Sequence, residues 1–165
     1  MVNELQTKFD TTLKLMEEGR ISDSSKTLTE LFSNMTCNCF LSKQKKSVYK
    51  KPFEVIKTIS DDSSHFDLNL IKGFIYLSNK RNKKAYKYLT KAIKINNVID
   101  LPYSLRSSIK RKINPDYTDD DKHAVLLNPS ARNYFFLAAS FDYKKVSSNC
   151  KKAIFFYDKA IELRP

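Results

Sequence analysis

The sequence predicts an all-α fold: antiparallel helix hairpins stacked into a superhelical array, with irregular insertions. Three observations carry that expectation. Glycine occurs twice and proline five times in 165 residues, too few turn residues for an all-β chain, which closes many tight turns. Apolar residues recur at the 3.6-residue spacing of a helix along most of the chain. A fixed order of small and large residues also recurs in two distant segments, and such self-similarity marks a stacked array of helix pairs.

Residues 3–18 read as an amphipathic helix, with Leu5, Phe9, Leu13 and Met16 on one face. Gly19 stops it in a C-cap position. Ser22 and Asp23 start a second helix to about Met35, with Leu28, Leu31 and Phe32 aligned. So short a joint makes a helical hairpin. Residues 36–48 are polar and basic and read as a loop. Pro52 suits the first turn of a short helix from Phe53 to about Ser60. Asp61-Asp62-Ser63-Ser64 is a loop and cap cluster. Strongly apolar helical spacing runs from Phe66 to Asn79, Lys80-Arg81-Asn82 turns the chain, and Lys83 to Asn96 forms the return helix. Residues 102–113 read as helical. Asn114 to Asp121 is acidic and turn-rich and reads as a solvated loop, without the oxygen-ligand ladder of a calcium loop. Ser130 to Tyr143 and Ser148 to Leu163 form the last pair.

The repeated order is Gly73, Tyr76, Ala85, Leu89, Ala92 in the middle pair and Ala138, Phe141, Ala153, Tyr157, Ala160 in the last. Ala85 to Ala153 and Ala92 to Ala160 are each 68 residues apart, twice the ~34-residue period of a helix-pair repeat. Two helices that cross closely need a small residue at the crossing, Gly73 against Ala85 and Ala138 against Ala153, with large neighbours filling the space around it. The second alanine of each pair leaves room for the next hairpin.

In Lys72-Gly73-Phe74-Ile75-Tyr76-Leu77 and in Phe156-Tyr157-Asp158-Lys159-Ala160-Ile161-Glu162-Leu163-Arg164-Pro165 the chain resembles the tetratricopeptide repeat family. The resemblance covers repeat-like hairpins at 66–97 and 130–165, with a weaker one at 3–35, inside a single domain of residues 1–165. The stretches 36–65 and 98–129 are irregular, although 100–128 can be read as a degenerate repeat with Tyr103 and Ser107 in its first helix. Asn69 and Lys72 depart from the family pattern, which places large apolar residues there, and the last hairpin carries a three-residue insertion near Lys145–Asn149.

The resemblance implies a non-enzymatic interaction module, an adaptor or scaffold that holds a partner peptide or amphipathic helix in a concave groove lined by first helices. Carried over by position, the groove would use Asp67, Leu70, Phe74, Leu77 and Ser78, then Arg132, Phe135, Ala139, Asp142 and Tyr143. The competing possibility is that 36–60 and 100–128 fold into this groove and fill it. A two-carboxylate clamp for acidic tails is poorly matched, because Leu70, Phe74 and Phe136 stand where its polar residues would be. Helix 148–163 would present Ala153, Ile154, Tyr157 and Ile161 with no further hairpin against it; arrays of this kind need a polar outer face, so a longer chain or a complex would cover it.

The net charge of +12 favours acidic partners. The alternative function is therefore a basic repeat domain in an RNA or DNA complex. Its patch would be Lys80, Arg81, Lys83, Lys84 and Lys87 with Arg106, Lys110, Arg111 and Lys112; Lys43, Lys45, Lys46, Lys50 and Lys51 add a further cluster, with tyrosines interleaved for stacking. Phosphate-binding glycine loops and hydrolase or zincin motifs are absent from the sequence. Cys37 and Cys39 are too closely spaced for a typical zinc pair and lack a second pair, so neither metal nor cofactor is expected. No basic-then-apolar leader opens the chain and no run approaches the ~20 residues of a membrane span; the expected setting is intracellular, cytoplasmic or nuclear, with reduced thiols.

Overall fold

A computed structural model describes residues 2–33, 46–59, 64–113, 118–142 and 147–163. Over those residues the chain forms nine α-helices and one short 3-10 turn, with no strand. Cys37, Cys39, Lys43, Lys45, Asp61, Asp62 and Tyr143 lie outside the described residues. The helices group into two compact units, Met1–Asn97 and Val98–Pro165.

The first unit opens with α1 (Val2–Glu17) and α2 (Ile21–Ser33). Gly19 joins them at φ 73°, a left-handed conformation that glycine adopts without steric cost. Its N–H donates to the carbonyl of Met16 and the next N–H, of Arg20, donates to Leu15, which satisfies carbonyls the ending helix would leave bare. Apolar positions on both helices, Phe9, Leu13, Met16, Leu28, Leu31 and Phe32, are buried. The hydroxyl of Thr12 meets that of Thr27 at 3.1 Å across the pair.

A 3-10 turn, Lys46–Tyr49, leads into α3 (Lys50–Thr58). Pro52 sits in its first turn, where no intrahelical donor is needed. α4 (Phe66–Ser78) and α5 (Asn82–Ile95) form the second hairpin. Lys80 ends α4 at φ 58° with the same bond pattern as Gly19: Lys80 N–H to Leu77, Arg81 N–H to Tyr76. Here a β-carbon is forced into the left-handed region, a cost of about 1 kcal/mol.

Gly73 sets the closeness of α4 and α5. A β-carbon there would lie 2.6 Å from Leu89 Cδ2 and 2.7 Å from its Cγ. The tight neighbour of Gly73 is therefore Leu89, one turn beyond Ala85. Asn69 and Lys72, at positions expected to be apolar, are buried, and their side-chain donors reach nearby backbone carbonyls. Asn69 Nδ2 donates to the carbonyl of His65 at 2.8 Å, and Lys72 Nζ donates to that of Ile59 at 2.8 Å.

The second unit contains α6 (Leu101–Ile113), α7 (Asp119–Leu127), α8 (Ala131–Asp142) and α9 (Ser147–Glu162). The last three aspartates of the run expected to be a solvated loop, Asp119, Asp120 and Asp121, instead open α7, and residues 114–117 lie outside the described residues. Three carboxylates in a first turn favour the helix, because negative charge is stabilised near the positive end of its dipole. Asp120 and Asp121 are buried. Asp120 accepts two bonds from the Arg106 guanidinium, each 2.8 Å, and Lys110 at 3.3 Å; Asp121 accepts from the Ser107 hydroxyl. Ion pairs thus join α6 to α7.

A buried polar cluster fixes the start of α8. Arg132 pairs with Asp100, and the Asn133 amide donates to Asp100 and to the carbonyls of Ala124 and Asn128. Burial pushes the Arg132 guanidinium down from its ordinary range, and Asp100 opposes that shift. Between α8 and α9, Leu137, Phe141 and Ala153 form a core ringed by Val125, Phe156 and Tyr157.

Candidate partner-binding surfaces

In the first unit the 3-10 turn and α3 pack against α1 and α4. Tyr49 sits between α1 and α4, its ring 5.8 Å from Phe9 and 6.2 Å from Phe74, both edge-on. Phe53, one turn later, packs edge-on against Tyr76 at 5.7 Å. Edge-to-face rings stabilise by about 0.5–1.5 kcal/mol beyond their buried area. Tyr49, Pro52, Phe53 and Ile56 are all buried, so the spacing i, i+4, i+7 of a groove-bound helix is supplied by the chain itself. Burial pushes the Tyr49 phenol up to about 12, partly opposed by its hydrogen bond with Ser78.

Two of the positions expected in a groove lie inside the packed unit. Leu70 is 0% and Phe74 1% exposed, because Phe32 of α2 and Tyr49 cover Phe74. Asp67 is half-buried and accepts a bond from the Ser22 hydroxyl at 2.9 Å, which ties α4 to α2. Leu77 is half-buried. In the second unit Arg132 is buried on Asp100 and faces no solvent. Phe135 is half-buried against Tyr157 at 5.6 Å, Ala139 is half-buried, and Asp142 is exposed.

Of the face expected on the last helix, Ile154 and Ile161 are exposed, while Ala153 is buried and Tyr157 half-buried. On α9, Ile154 is 59%, Phe155 55% and Ile161 65% exposed, and Leu163 just past its end is 48% exposed. The matching helix in the first unit shows what covers such a face. Counting from the small residues Ser24 of α2 and Ala153 of α9, Phe32 occupies the position of Ile161. Phe32 is 1% exposed, capped edge-on by Phe74 of the next first helix at 6.0 Å. A neighbouring cleft of 420 Å³ beside α9 is lined by Phe141, Lys151, Lys152, Phe155 and Phe156.

The expected basic patch divides between the two units. Lys80, Arg81, Lys83, Lys84 and Lys87 are exposed on the first. Several lie over rings: Arg81 over Phe53, Lys84 over Tyr76 and Lys87 over Tyr88. In the second unit Arg106 and Lys110 are half-buried and paired with Asp120. Both are therefore turned onto one carboxylate of their own unit. The side chains of Arg111 and Lys112 lie outside the described residues.

Comparison with known proteins agrees with this architecture. Residues 66–98 match the family described as Tetratricopeptide repeat, so the α4–α5 hairpin is a tetratricopeptide repeat. No curated protein sequence matches the chain. Among solved structures, MamA MSR-1 is similar with a TM-score of 0.61 and 17% identity, covering 97% of this chain and 96% of that one. MamA AMB-1 is similar with a TM-score of 0.59 and 15% identity over 97% and 91%. At such identities the likeness is one of fold, and the fold is that of tetratricopeptide-like helical repeats. Such folds are protein-interaction scaffolds and generally non-enzymatic. Among the described residues no helix is long and apolar enough to cross a membrane.

Proposed function

We propose that the chain is a non-enzymatic protein-interaction module that receives an amphipathic partner helix on the open face of α9, not in the groove of the first unit. One observation carries this reading: Ile161 stands open at the position where Phe32 is capped by a first helix. The occupant is therefore a helix that plays the part of α4, with an aromatic or branched aliphatic residue set against Ile161 and others one turn away against Ile154 and Phe155. Burying each such side chain contributes about 1.5–3 kcal/mol. The first-unit groove is a poor alternative, because a partner would first have to displace Tyr49, Phe53 and Ile56, at about the same energy for each.

A nucleic-acid role draws less support. Arg106 and Lys110 are held by Asp120.

The test is capture of one defined partner by the intact chain, repeated with Ile154→Asp plus Ile161→Asp and, separately, with Leu77→Ala. The reading predicts loss of capture in the α9 double variant and retention in Leu77→Ala. The reverse pattern would return the binding site to the first-unit groove.

A further inference from the structure

We propose that the helix received by α9 belongs to another protein, runs parallel to α9, and carries a carboxylate seven residues before an aromatic ring, the carboxylate set on Lys151 and the ring on Ile161. This rests on the α9 reading and adds the partner's direction and charge. The template is the way α4 docks on α2, which two contacts fix. Near the start of both helices the Ser22 hydroxyl donates to the Asp67 carboxylate at 2.9 Å. Further along both, Phe32 meets Phe74 edge-on at 6.0 Å. The contacts advance in the same sense along the two helices, so α4 runs parallel to α2. Asp67 stands seven residues before Phe74, two helical turns, which puts both on one face of α4.

The register set by Ser24 and Ala153 carries this template onto α9. Ser22, Ser25 and Phe32 correspond to Lys151, Ile154 and Ile161. In α2 the last two are covered, Ser25 at 3% and Phe32 at 1% exposed; in α9 all three are open. Where α2 offers Asp67 a neutral hydroxyl, α9 offers an ammonium. Lys151 is exposed and, among the described residues, pairs with no carboxylate. A carboxylate in the place of Asp67 therefore gains a charge-assisted bond, stronger than the neutral one it replaces. Ile161 is smaller than Phe32, which leaves room for a full ring opposite it. The neighbouring Lys152 does not share this role. It corresponds to Asp23, which turns back onto Arg20 of its own turn, and its ammonium lies over Phe141 of its own hairpin. The net charge of +12 favours the same acidic partner at long range.

A second copy of the chain fits this face poorly. In a head-to-tail stack α1 of that copy would take the part of α4. Thr12 stands twelve residues before Ser24, as Gly73 stands before Ala85, so Gln6 and Leu13 fall where α4 has Asp67 and Phe74. Gln6 carries no charge for Lys151. Leu13 is 6% exposed and already packed within its own unit.

The probe is a labelled amphipathic helical peptide with Asp seven residues before Phe, titrated with the intact chain by fluorescence anisotropy. Two further peptides are compared, one with Lys in place of that Asp and one with the order of Asp and Phe reversed. The chain should bind the Asp peptide about fivefold more tightly than the Lys peptide, the scale of an exposed ion pair, and more tightly than the reversed peptide. Lys151→Glu should invert the preference between Asp and Lys peptides. Lys152→Glu makes the same change of charge one residue away and should preserve it. Both lysines are exposed, so thermal unfolding should be unaltered in either variant. Equal binding of the Asp and Lys peptides, or the same response in Lys151→Glu and Lys152→Glu, would overturn the proposal; the α9 reading would still stand if Ile154→Asp plus Ile161→Asp abolished that binding. Binding that survives the double variant, or none by any of the three peptides, would sink both. A concentration-dependent dimer dissolved by Ile161→Asp would give the face to a second copy and likewise overturn the proposal.

Discussion

α2 and α9 are second helices of hairpins built to the same register, yet one is sealed and the other open. In α2 Leu28, Leu31 and Phe32 are buried, with Phe74 of α4 edge-on to Phe32. In α9 the inner positions Ala153 and Ala160 are buried against its own hairpin, while Ile154, Phe155 and Ile161 face outward. The difference lies in the neighbour each helix has, not in the helix itself. A repeat hairpin buries one face internally and leaves the other to an adjoining hairpin. The same contrast holds for the inserts. The segment Tyr49–Ile56 closes the first unit with aromatic side chains, whereas the second unit joins α6 to α7 through Asp120, Arg106 and Lys110.

The largest expected effect comes from truncating the paired positions. Phe32→Ala should destabilise the chain by about 3–5 kcal/mol, the cost of a cavity under a buried ring. Ile161→Ala should stay within about 0.5 kcal/mol, as exposed substitutions do. Denaturant unfolding of the two variants would measure both, and similar losses would erase the contrast between sealed and open helices.

An intermediate effect concerns the sealed groove. The Tyr49 phenol is raised to about 12 from 10.0 by burial, so its protonated form is the one the fold prefers. The resulting stability is complete below pH ~10 and is lost as pH rises toward 12, amounting to about 2–3 kcal/mol. Tyr49→Phe should flatten that alkaline loss in pH-dependent unfolding. An unchanged profile would mean that the phenol is not enclosed between Phe9 and Phe74.

The smallest effect compares the two joints that share one cap geometry. Gly19 at φ 73° is unstrained, while Lys80 at φ 58° is not. Lys80→Gly should stabilise the first unit by about 0.5–1 kcal/mol, relief of the left-handed β-carbon minus the added freedom of the unfolded chain. A loss of stability would show that the Lys80 side chain contributes more than its backbone costs.

Much of the helical architecture was legible, because apolar spacing and small-residue order are local signals. The 66–97 hairpin is legible in the order Gly73, Tyr76, Ala85, Leu89, Ala92, although the tight contact of Gly73 is with Leu89 and not with Ala85. Contacts that return from a distance could not be read. Leu70 and Phe74 were placed by helical position, but only the fold brings Tyr49, 25 residues earlier, against Phe74. The start of α7 was hidden for a similar reason. A run of aspartates looks solvated until Arg106 and Ser107, on another helix, are seen to bond it. The departures at Asn69 and Lys72 were visible as anomalies, and their solutions, His65 and Ile59 carbonyls, were not.

Hydroxyl-radical footprinting of the chain, free and bound to its partner, tests the contrast most directly. In the free chain Phe155, Ile161 and Leu163 should oxidise rapidly while Phe32, Tyr49 and Phe74 stay protected; on binding, protection should spread to the α9 residues and leave Tyr49 unchanged. Oxidation of Tyr49 and Phe74 at the rate of Phe155, or exposure of Tyr49 on binding, would contradict the account.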